Sequence, residues 1–116
     1  HPLYSELFDL VMKGDVVAHE SLARDIAEHG GNVVYLALSG VFTGDSSAPT
    51  DMLIVGTLRE QYIARRVSEY EKKSGAPVRY TLMTQEEFVD RRHMMDKFLY
   101  AFFEAKQDIV VNTLNA

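Results

Sequence analysis

Residues 33–56, VVYLALSGVFTGDSSAPTDMLIVG, decide how this chain is read. Val33-Val34-Tyr35-Leu36-Ala37-Leu38 and Met52-Leu53-Ile54-Val55 are unbroken apolar runs bounded by glycine, serine and proline. Runs of this length predict buried strands, covered on both faces. Between them lies a loop of small and polar residues, Ser39-Gly40-Val41-Phe42-Thr43-Gly44-Asp45-Ser46-Ser47, and Asp51 sits at the mouth of the second strand. Glycine in such a loop lets the backbone approach a ligand closely, serine supplies donors, and Asp51 offers a carboxylate to a cation.

On the N-terminal side, Leu3, Leu7, Leu10 and Val11 recur at helical spacing and predict an amphipathic helix over Leu3–Lys13. A second helix is predicted over Val16–His29, with Leu22 and Ile26 one turn apart and Gly30-Gly31 as its stop. On the C-terminal side, Thr57-Leu58-Arg59-Glu60 reads as a capping box that opens a helix carrying Tyr62, Ile63, Val67 and Tyr70. Ser74-Gly75-Ala76-Pro77 ends it. Val78–Met83 alternates as a third strand, and Thr84-Gln85-Glu86-Glu87 repeats the capping pattern ahead of a helix with Phe88, Met95, Leu99 and Phe102 on its buried side. Asp96 is a second candidate start within that stretch. Ile109-Val110-Val111 is a short last strand.

The expected fold class is α+β, in the order ααββαβαβ. About four strands form a mixed sheet, since the first two strands join as a hairpin and the third arrives by a helical crossover. Helices are expected mainly on one face. The chain reads as one domain over 1–116, with a helical N-terminal segment over 1–30 and a sheet core over 33–116. It begins His1-Pro2, with no initiator Met, and is read as a piece of a longer protein.

Composition narrows the function classes. An apolar content of 47% and a charged content of 25% are ordinary for a globular protein. No apolar run approaches the roughly 18 residues that span a membrane, so no membrane partner is expected. The formal charge of −5 argues against direct nucleic-acid binding by this segment. The chain lacks cysteine, which excludes disulfides and thiolate chemistry and fits a cytoplasmic setting. His1, His19, His29 and His93 have no metal-ligand spacing, and Arg91-Arg92-His93 reads as a solvated basic face with phosphate binding as the sharper alternative.

The frame Ser39-Gly40-(three residues)-Gly44-Asp45, followed by Pro49-Thr50-Asp51-Met52-Leu53-Ile54-Val55-Gly56, resembles the small "minimal" domains of the nucleotidyltransferase superfold. The runs VRYTLMTQEEF and DKFLYAFFEAKQDIVVNTL are similar to a bacterial subgroup, in which such a domain follows the winged helix of a transcriptional regulator. The resemblance implies a phosphate-binding turn after the first strand, here Ser39, Gly40, Thr43 and Gly44, and a metal-binding Asp-x-Asp at the second, here reduced to Asp51. It also implies Mg2+ with a nucleotide as the cofactor class. The departures are specific. Gly-Ser has become Ser39-Gly40, and Pro49 stands where the first Asp of the pair belongs. No Asp or Glu lies in Val78–Thr84, where the family places a third carboxylate.

Nucleotidyl transfer depends on cations that neutralise developing charge, and a conventional two-metal site cannot be built from Asp51 alone. The expectation is therefore a non-catalytic nucleotidyltransferase-like domain, serving as the ligand-sensing or oligomerisation module of a transcriptional regulator with an upstream DNA-binding domain. The alternatives are an active metal-dependent nucleotidyltransferase with Asp51 as its catalytic residue, and a purely structural interaction module. Asp51→Asn is expected to leave stability nearly unchanged. A homodimer is expected through the N-terminal helix or the Phe98–Phe103 segment, whose clustered aromatics point around much of the helix circumference.

Overall fold

The computed structural model describes residues 20–114. The helix expected over Leu3–Lys13 lies outside them. Residues 20–29 form α1, followed by β1 (Gly31–Leu38), a 3-10 turn (Gly40–Phe42), β2 (Met52–Leu58) and α2 (Glu60–Ser74). Then come β3 (Tyr80–Met83), α3 (Gln85–His93), α4 (Lys97–Glu104) and β4 (Asp108–Asn112).

The strands form one mixed sheet in the order β3-β2-β1-β4. β1 pairs antiparallel with β2 and with β4, while β2 and β3 run parallel across the α2 crossover. The two apolar runs of the 33–56 stretch are thus the two central strands. Their register shifts at Val34, an extra residue opposite the Gly56/Val55 step, so Val34 and Tyr35 both pack toward the same layer. Gly56 makes this possible: its φ is +146°, and a Cβ there would overlap the Asn32 carbonyl.

Helices cover both faces, which corrects the expectation of one-sided packing. On one face Leu22, Ala23 and Ile26 of α1 and Ile63 and Val67 of α2 meet Leu36, Leu38, Met52 and Ile54. On the other, Phe88 of α3 with Leu99 and Phe102 of α4 meets Tyr35, Ala37, Leu53, Val55 and Met83. The physical reason lies in the strands. Both parities of β1 and β2 are apolar, and a strand buried on both faces needs a layer on each. Tyr35, fully buried, stacks on Phe88 with ring centroids 5.5 Å apart and donates its hydroxyl to Gln107 Oε1 at 3.1 Å. Burial pushes its phenol pKa up.

Two further expectations are revised. The 85–104 stretch is two helices, so the order over the described residues is αββαβααβ. Asp96 separates them, its carboxylate accepting the Leu99 N–H at 3.1 Å as an N-cap. The capping box at Thr57 does not form, because β2 continues through Leu58 and Thr57 pairs with Asn32 in the ladder. Helix α2 instead starts behind Arg59, without a side-chain cap. The box at Thr84 does form on its Thr side, with the hydroxyl accepting the Glu87 N–H at 3.0 Å. Helix α1 is fastened to α2 through Asp25, which accepts the Tyr62 hydroxyl and Arg66 Nε.

Candidate functional site

The loop between β1 and β2 closes one end of the sheet, alongside the start of β3 and the turn between α4 and β4. Its two ends are joined where Ser39 N–H donates to the Asp51 carbonyl at 2.8 Å. Gly40 then takes a φ of +53°, and a Cβ on it would overlap the Asp51 carboxylate. Only glycine fits there. Its role is to let the loop close over Asp51, with the 3-10 turn following directly.

Of the residues expected to bind phosphate, Ser39 and Gly40 are buried, Thr43 is half-buried and Gly44 is exposed. Ser39 is fully buried, and its hydroxyl donates to the Lys106 carbonyl at 2.6 Å. The Thr43 hydroxyl donates to the same carbonyl at 3.1 Å. Asp45 accepts the Lys106 N–H at 2.8 Å on one oxygen and the Ser47 N–H at 2.9 Å on the other. Hydrogen bonds from Ser47 and from the Lys106 N–H hold the Asp45 carboxyl below its ordinary pKa. Gly44, with a φ of +76°, has open space where a side chain would stand. Of the four residues, Ser39 and Thr43 come together on Lys106, Gly40 sits against Asp51, and Gly44 makes the outer bend.

Asp51 is 3% exposed. Its Oδ1 accepts the Val41 N–H at 2.9 Å and Arg79 Nη2 at 3.1 Å. Its Oδ2 accepts the Arg79 N–H at 2.8 Å and lies 3.4 Å from Arg79 Nε. Burial alone would raise this carboxyl, but the bonds from the Arg79 side chain and from the Arg79 and Val41 N–H groups outweigh it and lower the pKa. Arg79 Nη2 also reaches the Ala48 carbonyl at 3.3 Å, which ties the end of the loop to β3. Beside it, the buried Thr50 hydroxyl donates to the Arg79 carbonyl at 3.2 Å and accepts from Thr81 at 3.1 Å.

These residues do not fit a catalytic divalent ion. Both oxygens of Asp51 already hold a cation and two N–H groups. Among the described residues, no group of three or more His, Asp or Glu side chains gathers as a cage. Pro49 and Val78–Thr84 supply no second carboxylate. At the opposite end of the sheet, a groove of about 380 Å³ lies where β2 and β3 lead toward α2 and α3, lined by Thr57, Glu60, Thr84 and Glu87 among others. Its two carboxylates oppose a polyphosphate. The Arg91-Arg92-His93 cluster is divided: Arg91 lies near Glu87 at 3.6 Å and Asp96 at 3.8 Å, while Arg92 stacks over the Phe88 and Phe103 rings.

Arg79 is the residue that sequence reasoning missed. It is the one charged residue in Val78–Met83, a stretch in which the resemblance directs attention to carboxylates. The parallel register Met52↔Tyr80 places the preceding residues, Asp51 and Arg79, side by side.

Fold and loop together define an α+β protein whose mixed four-stranded sheet carries a connecting loop fastened by its own side chains. Compared with known proteins, the chain matches no family model, no curated protein and no solved structure. Among the described residues, no helix is long and apolar enough to cross a membrane.

Proposed function

We propose that this is a non-catalytic nucleotidyltransferase-like domain that serves as the oligomerisation module of a cytoplasmic transcriptional regulator. The observation that carries the proposal is the inward turn of the loop. The Ser39 and Thr43 hydroxyls donate to Lys106, and Asp51 is held by Arg79, so the groups a nucleotide and its metal would use are engaged within the chain. This favours association over nucleotide sensing. Exposed apolar side chains support it: Met94, Met95 and Tyr100 where α3 meets α4, and Ile109 and Val110 on β4. The half-buried Phe98 and Phe103 lie beside the first group. The regulator setting, with a DNA-binding segment elsewhere, rests on the resemblance to the bacterial subgroup.

Light scattering at tens of micromolar tests the association, with a dimer mass expected and a monomer mass counting against it. Labelled ATP, GTP and CTP with Mg2+ test the chemistry. No transfer is expected. Magnesium-dependent transfer that disappears in Asp51→Asn would establish the active alternative instead.

A further inference from the structure

We propose that the Arg79 guanidinium occupies the place of a metal ion on Asp51, as a tethered cation that keeps the loop closed whatever the divalent-ion concentration. The inference rests on the non-catalytic reading of this loop and names the cation that balances Asp51 there. A carboxylate 3% exposed needs a positive charge beside it, and the N–H groups of Val41 and Arg79 supply only partial ones. The guanidinium supplies the whole charge. Its Nη2 binds Asp51 Oδ1 and also the Ala48 carbonyl, bridging a carboxylate and a backbone oxygen as a hard divalent ion does. Arg79 is anchored by its own N–H on Asp51 Oδ2, so the side chain leaves the strand already beside the carboxylate.

The local charge count points the same way. Asp51 and Arg79 cancel, and the nearest acidic residue of the loop, Asp45, is turned to Lys106 and Ser47. A divalent ion arriving at Asp51 would find that carboxylate already matched by a cation and would have to displace the guanidinium. The side chain of Arg79 is 59% exposed, so its removal opens the carboxylate to solvent from one side.

The test uses manganese chloride alone, with sodium chloride at equal ionic strength as the control. The wild-type Tm is expected to stay within about 1 °C in 10 mM Mn2+. Arg79→Met, which keeps length and loses charge, is expected to melt lower by on the order of 5 °C. Mn2+ or methylguanidinium should then raise its Tm by a few degrees. That gain should vanish in the double variant Arg79→Met/Asp51→Asn. The proposal is overturned if Mn2+ raises the wild-type Tm through Asp51, if neither cation raises that of Arg79→Met, or if the gain survives Asp51→Asn. Should Arg79→Met not fold, refolding in methylguanidinium chloride decides: recovery supports the tethered cation, and no recovery in either cation overturns it. No nucleotide is present in any arm, so nucleotide transfer would count against the reading of function and leave these melting points as the separate measure of Arg79.

Discussion

Asp51 keeps its charge at a buried position because four donor atoms converge on two oxygens, and the cost of losing them follows from that count. Asp51→Asn keeps the shape but weakens charge-assisted bonds and turns an NH2 group toward donors. It is expected to lower stability by about 2 kcal/mol, measured by urea denaturation. The exposure of Arg79 keeps the figure below that of a dry ion pair. This replaces the near-neutral effect expected from sequence, where backbone N–H groups were the visible partners of Asp51 and its cation was not. The pH dependence follows from the lowered pKa. Its stabilisation is fully present above the unfolded carboxylate value of roughly 3.9 and is lost as pH falls through the folded value. Asp51→Asn should therefore flatten the acid limb of stability below about pH 4 relative to wild type. Position 51 was legible in the sequence as an acidic residue at the mouth of a central strand. Its partner was not, because Arg79 is 28 residues away and only the β2–β3 register brings the two together.

At the scale of elements, two identical cues had opposite outcomes. Thr57 and Thr84 both stand three residues ahead of a glutamate, Glu60 and Glu87. Thr84 caps α3, while Thr57 is held in the ladder opposite Asn32, where strand pairing outweighs a local cap. A capping pattern is local, and the competing ladder is not visible from it. The end of α3 lacks a glycine and was marked in the sequence only from its far side, by Asp96 as a candidate second helix start. Met95 N–H bonds to the Arg92 carbonyl and Asp96 N–H to the Arg91 carbonyl, closing a Schellman turn with Met95 at a φ of 54°. Helix α2 ends with Gly75 in that left-handed conformation. Met95 is 80% exposed, so little packing opposes its replacement. Met95→Gly is expected to stabilise the protein by about 1 kcal/mol, the left-handed penalty less the extra chain entropy of glycine. Urea titration of wild type and variant checks this, with a higher midpoint and unchanged slope expected.

For the whole molecule, the sheet is a middle layer with its own core on each side. The sequence carried this more clearly than the element order did. Tyr35 through Leu38 and Met52 through Val55 are buried residue after residue, as unbroken apolar runs require, whereas counting helices suggested a one-sided arrangement. Ile63→Ala on one side and Phe102→Ala on the other should each cost about 3 kcal/mol, read from urea midpoints. A one-sided protein would show a near-neutral result for one of the pair. The fastening of the loop at Lys106 has a consequence for how the molecule breathes. Lys106 gives its carbonyl to Ser39 and Thr43 and its N–H to Asp45, and two residues later the chain enters the edge strand beside Leu38. Edge strands are the part of a sheet that detaches most readily. Detachment of β4 is therefore expected to release the loop in the same opening, so the Lys106 amide and those β4 amides that bond to β1 should show one shared opening rate in hydrogen exchange.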